Sequence, residues 1–248
     1  MKKRIIPLLV VMIITTMALS SCVVPLRGVI RGSGNTITES RKVADFNRVQ
    51  LDGAGTLTII KGESEALQIT ADDNVLPKLT SDVIQGELIL GFQANWWQSA
   101  IIPTQGIHYA LTVKDLSEIT INGAADLDMY DFETDSLTIE VNGAGKITVT
   151  NLTARDFEFE INGTANSQLS GEVENLAIQV NGMGNVSAGS LLASSADIEI
   201  NGLGNGTVWV TDSLSVSISG GGSLNYYGYP TISQNISGAG EIDSLGEK

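Results

Sequence analysis

The chain has 248 residues, of which 28 are acidic, 14 are basic, one is histidine and one is cysteine. The net charge of −14 argues against nucleic acid as a partner, because binding to a phosphate backbone depends on clustered lysine and arginine. A single cysteine excludes a disulfide framework within the chain. Packing and hydrogen bonds must therefore hold the fold together.

The start of the chain has the features of a bacterial lipoprotein signal. Three basic residues at 2–4 precede an uncharged apolar run from Ile5 to Leu19, which is typical of a secretory signal and short for a membrane span. The run leads into Leu-Ser-Ser-Cys, which ends at Cys22 and resembles a lipobox. We therefore expect a signal peptide at 1–21 and a lipidated N-terminus and tether at 22–33. The lipid on Cys22 would hold the exported protein at a membrane of the cell envelope.

A four-residue motif recurs through the second half of the chain. Five copies begin with Asn-Gly at spacings of 20, 20, 19 and 20 residues, and two looser copies that begin at Ser219 and Ser237 continue at spacings of 18. An early outlier, Asp52-Gly53-Ala54-Gly55, lies far upstream. The five Asn-Gly pairs are Asn122-Gly123, Asn142-Gly143, Asn162-Gly163, Asn181-Gly182 and Asn201-Gly202.

Alternating segments precede these pairs, for example Leu137, Ile139 and Val141 with polar residues between them. Alternation with a period of two predicts a strand with one buried face. A lone coil of about twenty residues buries too little apolar surface to offset the entropy of ordering it, so the coils must stack. The sequence predicts an all-β protein, a parallel β-solenoid with rungs of about 20 residues. An antiparallel β meander or sandwich is the alternative, because Asn-Gly is also typical of a two-residue hairpin.

The Asn-Gly pairs are interpreted as a structural turn ladder. Asparagine tolerates the left-handed backbone region, and glycine adopts positive φ without cost. Asparagines at the same corner of successive rungs can also form a ladder of side-chain amides along the axis.

Several stretches resemble the family of auto-transporter adhesins with a head GIN domain. They are Val43–Val49, Ala71–Leu76, the repeated Ile-Asn-Gly units and Leu224–Pro230 with the Ile-Ser-Gly-Ala-Gly that follows. The similarity covers roughly residues 40–243. It implies a secreted or lipid-anchored envelope β-solenoid without an established activity, and it defines no functional residues. We take 34–245 as one such domain, with an insertion at 92–106.

Aromatic residues are the candidates for ligand contact. Trp96 and Trp97 are adjacent in the insertion, where strict alternation forces one of them outward, and Tyr226, Tyr227 and Tyr229 lie near the last rung. Exposed aromatic side chains suit contacts with sugars or proteins. They equally suit capping an open end of the solenoid.

An acidic column is the weak candidate for a metal site. Glu140, Glu160 and Glu199 each lie two residues before an Asn of the motif, so parallel stacking would place successive residues of this column about 4.8 Å apart. Calcium would relieve their repulsion, although a solvated acidic face explains them as well. No other cofactor is expected.

The sequence disfavours catalysis, because His108 is the only histidine and the repeats are nearly free of basic residues. We expect a non-catalytic, lipid-anchored envelope protein, an adhesin or binding module that contacts polysaccharide or another envelope protein. Two alternatives stay open. One is a structural solenoid that self-associates into homo-oligomers, and the other is an enzyme acting on polysaccharide.

Overall fold

The computed structural model describes residues 28–93 and 99–248, and these residues form strands and one short 3-10 helix. No helix in the described ranges is long and apolar enough to cross a membrane. The signal peptide, Cys22, Trp96 and Trp97 lie outside the described residues. The elements are β1 (Gly28–Arg31), β2 (Thr36–Arg41), β3 (Arg48–Leu51), β4 (Ala54–Lys61), β5 (Ala66–Asp72), η1 (Leu76–Lys78), β6 (Leu79–Ile84), β7 (Glu87–Phe92), β8 (Ser99–Ile102), β9 (His108–Val113), β10 (Glu118–Ile121), β11 (Ala124–Val141), β12 (Ala144–Ile161), β13 (Thr164–Val180), β14 (Met183–Ile200), β15 (Leu203–Gly220), β16 (Ser223–Tyr227), β17 (Thr231–Gly238) and β18 (Glu241–Gly246).

The chain winds into a parallel β-solenoid of about six turns, which confirms the predicted architecture and contradicts the meander. Strands β11 to β15 bend around the coil and pair in parallel with the next coil over most of their length. The register between β11 and β12 runs from Ala124 opposite Ala144 to Val141 opposite Ile161, a constant offset of 20 residues. Where the offset falls to 19 between β12 and β13, the pairing shifts between Val149 and Leu152.

The core is a set of apolar columns that follow from the alternation. Ile139, Phe159, Ile178, Ile198 and Val216 occupy one inward position of successive coils and are all buried. Burying each such side chain contributes about 1.5–3 kcal/mol. Every coil covers the core of its neighbours, so the coils stabilise one another along the axis.

The strands are interrupted once per turn at the Asn-Gly pair, where backbone hydrogen bonds between coils nevertheless continue. The reason for glycine at this turn differs from the expected one. None of the five asparagines or their glycines has positive φ, so the left-handed interpretation is wrong. Instead, the backbones approach closely. A Cβ on Gly163 would lie 1.9 Å from the carbonyl oxygen of Gly143, because Thr164 N–H donates to that same oxygen at 2.9 Å.

Positive φ occurs instead midway along the long strands. Asp131 has a φ of 50°, Asn151 of 59° and Gly171 of 136°. Asn151 Nδ2 donates to Asp131 Oδ1 at 2.8 Å, so this bend also carries a side-chain contact between coils. Asn, Asp and Gly are the residues that tolerate this backbone region at the lowest cost.

The Asn-Gly pairs of successive coils lie in one column, which we call the turn column. The early outlier of the motif belongs to this column as well. Asn122 Nδ2 donates to Asp52 Oδ1 at 2.7 Å, and Asn122 N–H donates to Leu51 O at 3.0 Å. Strands β3 and β4 therefore form a coil directly beneath β10 and β11. The intervening residues add a further coil, in which β7 pairs with β3 and β9 pairs with β4.

The two ends of the solenoid differ. At the N-terminal end, β6 pairs antiparallel with β7, β5 with β9, and β2 with β5, which closes the stack. The buried Asp72 carboxylate fastens this end by accepting hydrogen bonds from Gly34 N–H and from both the N–H and hydroxyl of Thr104. At the other end, β17 pairs only with β15 within the described ranges, and every residue of β17 is exposed.

Candidate functional site

A groove of about 610 Å³ runs along the solenoid axis on the face formed by the second halves of β11 to β15 and by β17. We call it the axial groove. Its two walls are columns of outward side chains that lie two residues apart along each strand, and in-register stacking aligns each column. The first wall is Ser136, Asp156, Asn175, Ser195, Ser213 and Thr231, and the second wall is Thr138, Glu158, Ala177, Asp197, Ser215 and Ser233.

The dimensions of the axial groove follow from strand geometry. Five steps between coils give a length of about 24 Å, and two residues along a strand give a spacing of about 7 Å between the walls. The floor is the strand segment between the walls, including Phe157 and Leu176, whose side chains are buried in the core. Because the floor strands β12 to β15 are paired on both sides and rest on a packed core, the groove is long, narrow and preformed over most of its length.

The walls present hydroxyl, amide and carboxylate groups. Asn175 Nδ2 donates to Asp156 Oδ1 at 2.8 Å, and the Ser213 hydroxyl donates to the Ser195 hydroxyl at 3.0 Å. The lining carries three carboxylates, those of Asp156, Glu158 and Asp197, and no basic side chain. Arg155 pairs with Asp156 at 2.9 Å from beside the first wall. The groove therefore suits a neutral or cationic ligand and repels an anionic one.

The structure places the five asparagines of the turn ladder in one column. Asn142 Nδ2 donates to Asn122 Oδ1 at 3.0 Å, Asn162 to Asn142 at 3.0 Å, Asn181 to Asn162 at 2.8 Å and Asn201 to Asn181 at 3.0 Å. Every amide of the column except that of Asn201 joins the coils on both sides of it. The glycines of the pairs lie in the adjacent column of close backbone contacts. This arrangement supports the coils and is separate from the axial groove.

The acidic column lies beside these asparagines. Glu140 and Glu160 are in register, and the next two coils carry Gln179 and then Glu199. Asn162 donates to Glu140 at 3.3 Å, and both Asn201 and Gln179 donate to Glu199, at 2.8 and 3.1 Å. These amide donors offset the repulsion that a cation would otherwise relieve. Among the described residues, no group of three or more acidic, histidine or cysteine side chains is arranged to hold a metal ion.

The predicted aromatic contacts are not gathered at one site. Tyr226 and Tyr227 are half-buried on β16, and neither lines the axial groove. The Tyr227 ring faces the Lys248 ammonium at 5.7 Å. Tyr229 is 76% exposed and lies two residues before Thr231, where the first wall ends. Trp96 and Trp97 lie outside the described residues.

His108 begins β9, near the N-terminal end, and one of its ring nitrogens lies 3.3 Å from the Gln105 carbonyl oxygen. It is not part of the axial groove. Sequence reasoning missed the groove itself. The sequence does contain one sign of the groove. In each repeat, the two positions on either side of the first apolar residue are mostly polar, and many of them are serine or threonine.

Comparisons with known proteins agree with the solenoid fold. The family model described as "Putative auto-transporter adhesin, head GIN domain" matches residues 45–230. A "putative adhesin" from Bacteroides fragilis has 27% sequence identity and a TM-score of 0.82, with 87% of this chain and 100% of that chain covered.

Two more distant structures show the fold alone. A "putative adhesin" from Parabacteroides merdae has 20% identity and a TM-score of 0.66, over 87% of this chain and 98% of that chain. A "putative lipid binding protein" from Parabacteroides distasonis has 21% identity and a TM-score of 0.64, over 87% and 99%. No curated protein matches the chain in sequence. Because the family model matches three quarters of its length, the chain belongs to the head GIN domain family.

Proposed function

We propose that this protein is a lipid-anchored binding module of the cell envelope whose axial groove holds an extended, neutral or amine-bearing polysaccharide chain without altering it. The observation that carries the proposal is the groove, with its two polar walls along six coils. The adhesin description of the family and of its Bacteroides fragilis relative supports binding rather than turnover.

The shape of the groove favours a polymer. Its walls repeat one pair of positions at every coil, so a ligand with a repeating unit meets similar groups along its length. The lining exposes no aromatic ring, and each hydrogen bond to a solvated wall contributes only about 0.5–1.5 kcal/mol. Affinity must therefore accumulate over several units of a chain. A preformed groove keeps the ordering cost on the protein side low.

The chemistry of the groove favours a sugar over a peptide. A peptide binds a sheet most readily by adding a strand to a free edge, but the floor strands β12 to β15, which form most of the groove, are already paired with the coils on both sides. Ligand contacts must come from the side chains of the walls. Their hydroxyl and amide groups match a hydroxyl-rich chain, and the carboxylates of Glu158 and Asp197 suit an amine-bearing sugar.

The proposed anchor places the groove away from the membrane. The tether that follows Cys22 would enter the fold at β1, whereas the axial groove spans Ser136 to Thr231 in the later coils. Residues 115–248 contain 19 acidic and three basic side chains, so anionic lipid would repel this part of the rod. Lipidation is tested by labelling cells with a fatty acid. We expect label on the wild-type chain and none on Cys22→Ser, and label on both proteins would contradict the anchor.

The groove is tested by co-sedimentation with insoluble polysaccharides. Ala177→Arg places a bulky side chain in the middle of the second wall, and Ser187→Arg makes the same charge change at an exposed site outside the groove. With a neutral glucan or chitosan as probe, we expect Ala177→Arg to weaken binding at least tenfold and Ser187→Arg to leave it unchanged. An anionic polysaccharide such as alginate should bind to none of the three proteins.

Three results would contradict the proposal. The wild-type chain could fail to bind both probes, the two arginine variants could lose binding equally, or the bound polysaccharide could be cleaved during incubation. Asp197→Asn separates the two ligand types. It should weaken binding to chitosan, which carries amines, and leave binding to the neutral glucan in place.

A further inference from the structure

The C-terminal end of the solenoid has an uncovered core. Ile232 and Ile236 on β17 continue the inward columns of Leu214 and Ile218 on β15. Leu214 and Ile218 are 1% and 0% exposed, whereas Ile232 and Ile236 are 38% and 39% exposed. The same positions are therefore buried in one coil and open to solvent in the next, because within the described residues β18 continues the stack only over β16 and no strand pairs with the outer edge of β17.

This end also has an unprotected sheet edge. Edge strands are usually guarded by charged residues, proline or a bulge. At the N-terminal end, β2 carries Glu39 and Arg41, which form an ion pair at 2.8 Å, and β6 carries Asp82. Strand β17, with the sequence TISQNISG, has eight exposed residues and no charge or proline.

The charge distribution sets β17 and the segment around it apart from the rest of the molecule, including the neighbouring β18, which carries Glu241 and Asp243. Residues 213–240 contain no acidic, basic or histidine residue, in a chain with a net charge of −14. Two copies of such an acidic protein repel each other over most of their surfaces. They approach at the lowest electrostatic cost through the uncharged edge strand.

We propose that β17 is a self-association surface, on which a second copy of this chain pairs its own β17 antiparallel across a two-fold axis. An axis through Gln234 keeps the inward face of both strands on the same side of the joined sheet. Ile232 then lies opposite Ile236 of the second copy, and the two Gln234 residues face each other. The two exposed core layers cover one another, and the free backbone groups of both edges find partners.

The pairing is tested by disulfide crosslinking of the full chain in intact cells. Gln234→Cys places the two new thiols on opposed residues, whose Cα atoms lie about 4.5–5.5 Å apart in an antiparallel pair, within the reach of a disulfide. Ser187→Cys is the matched control on an exposed side face. After mild oxidation, we expect Gln234→Cys to form a covalent dimer that reductant dissolves, and Ser187→Cys to stay monomeric.

A second pair of substitutions tests the apolar layer. Adding Ile232→Glu and Ile236→Glu to the Gln234→Cys chain should reduce the dimer at least tenfold, with an unchanged far-ultraviolet circular dichroism spectrum because both positions are exposed. Sedimentation equilibrium of the detergent-extracted wild-type chain should give twice the protomer mass, and the same extract of the double glutamate chain should give the protomer mass. A wild-type monomer, equal crosslinking at residues 187 and 234, or a dimer that survives both glutamates would overturn the proposal. Polysaccharide binding by the wild-type chain is a separate measurement, so failure here leaves the groove proposal standing.

Discussion

Substituting Gly163 by alanine tests how closely the coils approach. The added Cβ would lie 1.9 Å from the Gly143 carbonyl oxygen, well inside van der Waals contact. The two coils must move apart at this turn. That movement weakens the hydrogen bonds from Thr164 N–H to Gly143 O at 2.9 Å and from Gly163 N–H to Val141 O at 3.2 Å.

The expected cost combines both effects. Overpacking typically destabilises by about 1–3 kcal/mol, and each of two weakened hydrogen bonds removes about 0.5–1.5 kcal/mol. We expect Gly163→Ala to lower the free energy of unfolding by about 2–6 kcal/mol. Thr164→Ala, at an exposed neighbouring position, should change it by less than about 0.5 kcal/mol.

Urea unfolding followed by circular dichroism measures both variants. The midpoint should fall for Gly163→Ala at an unchanged slope, since a changed slope would indicate that the coils no longer unfold together. If Gly163→Ala unfolded at the same urea concentration as Thr164→Ala, the turn column would not be a line of close backbone contacts.

Three further predictions concern the supports of the solenoid. Asn162→Ala removes one amide that donates to Asn142 and accepts from Asn181. We expect the free energy of unfolding measured in urea to fall by about 1–3 kcal/mol. An unchanged value would show that the amide ladder does not stabilise the fold. Phe159→Ala empties a fully buried position of an inward column and should cost about 3–5 kcal/mol in the same assay, so a loss below 1 kcal/mol would contradict the core assignment. The hydroxyl and N–H of Thr104 donate to the Asp72 carboxylate and so lower the pKa of this carboxyl group. These hydrogen bonds therefore stabilise the fold fully above the usual pKa of an aspartate, and the stabilisation is lost as the pH falls through the lowered pKa. The protection of the amides of residues 34 and 104 against hydrogen exchange, taken relative to their intrinsic rates, should fall over that acidic range. Asp72→Asn should remove this pH-dependent loss of protection, and an unchanged loss would place its cause elsewhere.

The stacking register is readable from the sequence because one motif recurs at a nearly constant spacing. The inward columns through Ile139 and Phe159 follow from the same alternation. The role of glycine does not follow, because Asn-Gly occurs both in left-handed turns and where two backbones nearly touch. Only the position of the neighbouring coil distinguishes these cases, as the contact between Gly163 and Gly143 shows.

The N-terminal end could not be predicted from the repeat. Asp52 lies 70 residues before Asn122, yet the two side chains are hydrogen-bonded, because an extra coil and antiparallel strands occupy the interval. Long-range pairing of this kind leaves no local periodic signal. The antiparallel strands β2, β5 and β6 carry ordinary strand residues, and their direction depends on turns such as Gln85-Gly86, where both residues have positive φ.

The axial groove was also hidden in the sequence, for a different reason. Its wall positions are small and polar, and such residues are ordinary on any exposed strand. They become a site only when Asp156, Asn175 and Ser195 are aligned by the register of three coils. The functional hypothesis from the sequence instead relied on aromatic residues, of which Tyr226 and Tyr227 lie outside the groove lining.

A crystal structure of the chain with a bound oligosaccharide long enough to span several coils would show whether the axial groove is the binding site. We expect continuous density along the groove, with sugar hydroxyl or amine groups within hydrogen-bond distance of Asn175, Asp197 and Ser215. Density confined to the Asn-Gly turn column or to the N-terminal end, with the groove filled by solvent, would contradict it.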